Sequence, residues 1–283
     1  MPGSSRILSR PVCAAASAAL VAVGLAVPAA AAPASATTSA TATTSTAVTS
    51  TAATPPTGAP PAQATSGQTV SGSFTSRYWP GRTVHWQAAL PVGRPKATVV
   101  VLHGRSDDGA KAFYGLDLPA EARRTGMAIV TVDGGDNYWT RHGDVDTNRM
   151  VTSDLMRAIA EHGIPVKRYA MTGYSMGGLG SLLVAQRMGG KRVFAVAPMS
   201  SALWQDRGGV EGAAQAKVRR QAHKLAGIPV RMVCGTGDDL LGVNKSMARL
   251  IPQASTSWTA GGHDFAYWRP VFAQQLDWIA RQA

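Results

Sequence analysis

The sequence predicts an α/β domain over residues 69–283: a mostly parallel central sheet with helices on both faces. Three observations point to it. Apolar, β-branched runs such as Ala97–Leu102 and Met127–Val132 lack polar alternation, as strands do when both faces are buried. Segments of helical length and spacing alternate with those runs. Glycine-rich turns stand where several runs stop, and open parallel sheets bind ligands beyond the carboxyl ends of their strands.

Two segments precede the domain. Arg6 and Arg10 lead into an apolar stretch from about Val12 to Ala32, and Ala34-Ser35-Ala36 forms a small-residue exit before Thr37. That order describes a secretory signal over residues 1–36. Alanine is only weakly apolar and Pro28 interrupts the run, which argues against a retained anchor. The arginines are not adjacent, against twin-arginine export, and Cys13 lies before the apolar centre, where no lipid-anchoring cysteine sits. Residues 37–68 are mostly Thr, Ala, Ser and Pro, with no charge and no aromatic residue. They cannot bury enough apolar area to offset the entropy of ordering, so they read as a disordered linker with threonines open to O-glycosylation. The expectation is an exported protein whose linker suits association with a cell wall.

Within the domain, Val70–Thr75 and Thr83–Ala89 read as strands joined by the turn Tyr78-Trp79-Pro80-Gly81. The buried runs follow: Ala97–Leu102, Met127–Val132, Arg168–Thr172, Val193–Ala197 and Val230–Cys234. Helices are expected over Met150–His162, Met176–Met188 and Gln215–Ala226. A short strand, Ser255–Thr259, precedes a last helix, Pro270–Arg281, with Phe272, Leu276 and Ile279 on one face. Only Ser201–Ile228 separates two of the strands, which leaves little or no room for a lid. Two cysteines exclude a disulfide framework and a thiolate zinc site, and Cys234 reads as a packing residue. The net charge of +12 becomes +10 once Arg6 and Arg10 are removed with a segment that holds no acid. It favours anionic surfaces, but no nucleic-acid motif or concentrated Lys/Arg stripe accompanies it.

The run Arg168–Thr172 enters Gly173-Tyr174-Ser175-Met176-Gly177-Gly178, and a helix follows. In this strand–turn–helix setting a Gly-x-Ser-x-Gly turn lifts the serine hydroxyl clear of the sheet, and glycines are needed because backbone approaches closely. A hydroxyl is a poor nucleophile near neutral pH and needs a base. Of the six histidines, His263 follows a strand and sits in the glycine-bounded loop Gly261-Gly262-His263-Asp264. A carboxylate must hold the imidazole in the right tautomer. Asp238, at the end of Gly235-Thr236-Gly237-Asp238, is the candidate, with Asp239 its neighbour and competitor. The order Ser175, Asp238, His263 suits the architecture. The oxyanion donors are expected from the N–H groups of Met176 and of Arg105, with Ser106 as the fallback. His103 reads as structural or orienting. No metal or organic cofactor is called for.

These residues carry a resemblance. Gly173–Gly178 together with Gly261-Gly262-His263-Asp264-Phe265-Ala266-Tyr267-Trp268-Arg269 resembles the esterase D-like branch of the α/β-hydrolases. That branch includes feruloyl and acetyl-xylan esterases, S-formylglutathione hydrolase, siderophore esterases and the secreted mycolyltransferases. The resemblance, from about Ala97 to the C-terminus, implies an α/β-hydrolase fold. Cys234-Gly235-Thr236-Gly237-Asp238, with Asn244 a few residues on, resembles the segment that carries the family's acid at its first aspartate, which supports Asp238 over Asp239. Asp133-Gly134-Gly135-Asp136-Asn137-Tyr138-Trp139 resembles the family's site-lining loop, so Trp139, with Tyr174, is expected to contact substrate.

The function expected is a secreted serine esterase acting through an acyl-enzyme on carboxylic esters. Arg105, Arg141, His142 and Arg149 are candidates for a rim that favours anionic or polysaccharide-linked esters. Two alternatives stand beside it. One is acyl transfer to a sugar or lipid alcohol, mycolyltransferase-like, for which a body of about 215 residues is short. The other is a non-catalytic surface protein, which would be expected to carry a degraded triad.

Overall fold

The computed structural model describes residues 67–204 and 208–283. The export segment 1–36 and nearly all of the linker 37–68 lie outside the described residues.

The described chain begins with an antiparallel hairpin, β1 (Thr69–Thr75) and β2 (Thr83–Ala89), as expected. The strands β3 (Thr98–Leu102) and β4 (Ala128–Val132) follow, separated by the helices α1 (Gly109–Gly115) and α2 (Leu118–Thr125). A two-residue ribbon, β5 (Arg141–His142) and β6 (Val145–Asp146), leads into α3 (Thr147–Arg149), a π-helical turn at Met150–Leu155 and α4 (Met156–Glu161). Then come β7 (Tyr169–Tyr174), α5 (Met176–Met188), β8 (Val193–Met199) and α6 (Gly209–Arg220). After a 3-10 turn at Ala222–Leu225, β9 (Arg231–Gly235), α7 (Leu241–Ala248), β10 (Ser255–Thr259) and α8 (Phe265–Ala280) complete the chain.

One sheet of eight strands runs β1-β2-β4-β3-β7-β8-β9-β10. β2 pairs antiparallel with β1 and β4, and the remaining pairings are parallel. Side-chain alternation along the buried runs divides the interior in two. Val100 and Leu102 of β3 enter one core, under α4, α5 and α6, with Leu179, Leu182 and Val218. Val99 and Val101 enter the other, with Phe113, Leu118, Phe272 and Ile279 from α1, α2 and α8. Both faces are covered, which is why these strands read as continuous apolar runs.

Three helices differ from expectation. The span Met150–His162 is not one α-helix: its first part is a widened turn that carries Asp154 fully inside. There the Asp154 carboxylate accepts from the Ser76 hydroxyl and the Arg77 N–H, both at 3.0 Å, and pins the β1–β2 connection to the helix layer. α8 starts at Phe265 rather than Pro270, because Asp264 caps it by accepting the Tyr267 N–H at 3.0 Å, and Pro270 lies inside the helix. α6 ends at Arg220, and the rest of the expected helix is the separate 3-10 turn. The sequence pattern does not mark the helices α1, α2 and α7; they are short and their apolar periodicity is correspondingly weak. Apart from residues 205–207, which lie outside the described residues, the stretch 201–228 holds α6 and the 3-10 turn where a lid would have been inserted. Among the described residues no helix is long and apolar enough to cross a membrane.

Trp139, from the loop after β4, is wedged beneath the sheet end. A Cβ added at Gly134 or Gly180 would run into its indole. Gly180→Ala should therefore destabilise the fold by about 1–3 kcal/mol through overpacking, although alanine is the better helix former. Urea unfolding of the variant measures this; a stability equal to or above wild type would show that the loop gives way instead.

Candidate active site

Ser175 occupies the single-residue turn between β7 and α5, at φ 55° and ψ −119°. A non-glycine residue held there costs about 1–3 kcal/mol and persists only where its surroundings over-determine it. Here the Ser175 N–H donates to Met199 O at 3.0 Å, and its carbonyl accepts from Leu179 N–H at 3.2 Å and Ala202 N–H at 2.9 Å. The flanking glycines answer the close approach of β3. A Cβ at Gly173 would lie 2.5 Å from the Leu102 carbonyl oxygen, and one at Gly177 would collide with the same carbonyl.

His263 Nδ1 donates to Asp238 Oδ2 at 2.8 Å, which leaves Nε2 as the acceptor facing the Ser175 hydroxyl at 2.9 Å. The structure thus brings together the three side chains singled out in the sequence. The loops carrying two of them are sewn by their backbones. Thr236 N–H donates to Thr259 O at 2.7 Å and Gly237 N–H to Gly261 O at 2.9 Å, and a Cβ at Gly235 would strike the Gly261 carbonyl. Asp238 is buried, whereas Asp239 is exposed. Burial pushes the Asp238 carboxyl up, but the hydrogen bonds from His263 and from the Leu240 N–H outweigh it and hold it below the ordinary carboxylate range. The carboxylate is ionised whenever the imidazole needs it. Asn244 ties the acid loop to the end of β8: it accepts the Ser201 N–H at 3.1 Å and donates to Ser201 O and Leu240 O, both at 2.9 Å.

Met176 opens α5, where the first N–H groups have no intrahelical partner. Of the two expectations for the second donor, Ser106 is committed elsewhere: its N–H donates to Asp136 Oδ1 at 2.7 Å. Arg105 precedes it on an exposed stretch between β3 and α1. His103 is fully buried; its Nε2 accepts the Gly134 N–H at 2.9 Å and its Nδ1 donates to Gly104 O at 2.7 Å. Burial pulls its pKa below the ordinary value, so it is a neutral, fully engaged structural histidine.

Trp139 and Tyr174, expected to touch substrate, do not reach the surface of the site. Trp139 is 1% exposed and donates its indole N–H to His103 O at 3.3 Å. Tyr174 is fully buried, donates its hydroxyl to Asp107 Oδ2 at 2.9 Å and stacks on Trp268 at 4.5 Å. Both are too apolar to stay in water when a glycine-lined slot is available. The aromatic ring beside the histidine is instead Trp268, edge-on to His263 at 4.8 Å. It lies in the segment that begins at Gly261 and ends at Arg269, but nothing in its spacing assigns it that contact. Of the basic candidates, Arg149 lies over the Tyr78 ring at 5.0 Å and His142 donates to Asn137 Oδ1 at 2.8 Å, while Arg105 and Arg141 are exposed. The buried Cys234 thiol is pushed up to about 12 by burial and by the nearby Asp238 charge, which suits packing rather than chemistry. Among the described residues no three His, Cys, Asp or Glu side chains converge as a metal donor set.

A sheet in this strand order, with a strained serine between a buried strand and a helix, is the α/β-hydrolase fold. Residues 80–279 match the protein family described as "Putative esterase", and the chain belongs to that family; it is a carboxylic ester hydrolase. Solved structures agree on the fold. A ferulic acid esterase superposes with a TM-score of 0.65 at 18% identity, covering 76% of this chain and 98% of its own. An S-formylglutathione hydrolase from Agrobacterium tumefaciens gives 0.66 at 16% identity, covering 78% and 98%. A fluorophosphonate-binding serine hydrolase from Staphylococcus aureus, FphF, gives 0.63 at 17% identity, covering 75% and 98%. Among curated protein sequences, none matches the chain significantly.

A neutral buried His103 makes stability depend on pH in a definite direction. Its folded pKa lies below the ordinary 6.5, so its contribution is complete above that value. Below it, the unfolded chain takes up the proton first and stability falls. The melting temperature should drop between about pH 7.5 and pH 5.5, and His103→Gln should lose part of that slope. An unchanged slope in the variant would count against the neutral assignment.

Proposed function

We propose that the protein is an exported esterase that works through an acyl-enzyme on Ser175. His263 Nε2 takes the hydroxyl proton as Oγ attacks the ester carbonyl carbon, and Asp238 holds the imidazolium that forms. The Met176 and Arg105 N–H groups receive the developing negative charge. The tetrahedral intermediate collapses, His263 returns the proton to the departing alcohol, and the acyl group remains on Ser175. Water, deprotonated by the same imidazole, then releases the acid.

The observation that carries this reading is the continuous relay from Asp238 Oδ2 to His263 Nδ1 at 2.8 Å and from His263 Nε2 to Ser175 Oγ at 2.9 Å, at a residue with a strained backbone. Export and a place at the cell wall rest on residues 1–68 alone. Transfer of the acyl group to a sugar or lipid alcohol would use the same intermediate, and product analysis with added acceptor separates it from hydrolysis.

A fluorophosphonate probe should label the wild type and leave Ser175→Ala unlabelled; equal labelling would sink the nucleophile assignment. With 4-nitrophenyl acetate as substrate, Asp238→Asn should lose about a thousand- to ten-thousand-fold in kcat, and Asp239→Asn little. The opposite ranking would reassign the acid.

A further inference from the structure

We propose that Asp136 is a positioning residue that keeps the Arg105 N–H aimed at the oxyanion. This rests on the reading given under Proposed function. The segment between β3 and α1 makes a turn at Arg105 and Ser106. Besides the Tyr174 hydroxyl, which donates to Asp107 Oδ2 at 2.9 Å, and the turn bond from Asp107 N–H to Gly104 O at 3.4 Å, four anchors on it come from the loop that follows β4. Upstream of Arg105, His103 Nε2 accepts from Gly134 N–H at 2.9 Å and His103 O from Trp139 Nε1–H at 3.3 Å. Downstream, the Ser106 N–H donates to Asp136 Oδ1 at 2.7 Å and the Gly109 N–H to Asp133 Oδ1 at 2.8 Å.

The Arg105 N–H belongs to the Gly104–Arg105 peptide plane, so its direction follows the torsions of those two residues. Residue 104 has to be glycine, because a Cβ there would stand 2.8 Å from the Tyr174 ring. The donor plane therefore hinges on the least restricted residue in the segment. The plane's own carbonyl, Gly104 O, accepts from His103 Nδ1 at 2.7 Å and, across the turn, from the Asp107 N–H at 3.4 Å, so its direction is tied to the shape of that turn. The first anchor beyond Arg105 is Ser106, held in the left-handed region at φ 62°, which a serine does not favour. A carboxylate accepting an N–H is a stronger partner than a neutral acceptor, and this bond keeps Ser106 in place.

The base of the anchor is itself stiff. Asn137 Nδ2 donates to Gly134 O at 2.7 Å, and Thr140 N–H donates to Asn137 O at 3.3 Å across a turn whose central residues, Tyr138 and Trp139, both have φ 50°. Trp79 from the hairpin connection covers Gly135. Asp136 is exposed, so its side chain serves no core. Its hydrogen bond goes to the turn that holds Arg105.

The test compares Asp136→Ala, Asp136→Asn and wild type in kcat and KM for 4-nitrophenyl acetate, and in affinity for an alkyl trifluoromethyl ketone. That ketone becomes a tetrahedral oxyanion when Ser175 adds to it. Loss of a whole oxyanion donor costs about a hundred- to a thousand-fold, so a misaimed one should cost roughly ten- to a hundred-fold in kcat. KM should stay within about threefold, and ketone affinity should fall in parallel with kcat. Asp136→Asn keeps an acceptor oxygen without the charge and should recover most of the loss. A change confined to KM, an undiminished affinity for the ketone, or an asparagine variant as impaired as the alanine variant would overturn the proposal. Ser175→Ala runs in the same series: an active Ser175→Ala protein fails the esterase reading itself, whatever Asp136 does.

Discussion

The site depends on how closely α5 comes down on the end of β3. Leu102 and His103 present their carbonyls where the helix begins, and a side chain at 173 or 177 would occupy the same space. The chain therefore turns from strand to helix in one residue, and that residue is left at φ 55° with its hydroxyl standing off the sheet. Strain at Ser175 is tolerable because two buried strands and a buried helix fix both its ends. The nucleophile's stance off the sheet, its access to His263 and the freedom of the Met176 N–H all descend from this one contact.

The same close packing explains the different fates of two histidines. His103 and His263 both follow strands and both sit in glycine-containing stretches. His103 is enclosed on all sides, gives its proton to one carbonyl and accepts an N–H with its other nitrogen, so it has nothing left with which to act. His263 is held on one nitrogen only, by a carboxylate that its partners keep ionised, and its second nitrogen faces a hydroxyl. Catalytic competence here is a matter of which nitrogen is left unspent.

The loop after β4 acts from beneath rather than from above. Its tryptophan fills a slot made by Gly134 and Gly180 and braces the strand end through an indole N–H. A bulky aromatic residue in a conspicuous loop invites assignment to a substrate surface. In this protein the burial of its large apolar area decided otherwise.

What the sequence by itself determined is whatever is local or strictly periodic. The buried strands, α5 from Met176 to Met188, the strand Ser255–Thr259 and the serine turn all follow from runs, caps and glycines that neighbours along the chain specify. The chain positions of Ser175, Asp238 and His263 were legible for the same reason, since each ends a strand or the loop that follows one. Helices α1, α2 and α7 were not, because short segments owe their stability to what they pack on rather than to their own pattern. Only the tertiary structure decided which of two adjacent aspartates meets the imidazole, which histidine is walled in, and that Trp139 and Tyr174 face inward while Trp268 stands against His263. Those outcomes depend on contacts between residues tens of positions apart, and direction in space is not encoded by spacing along the chain.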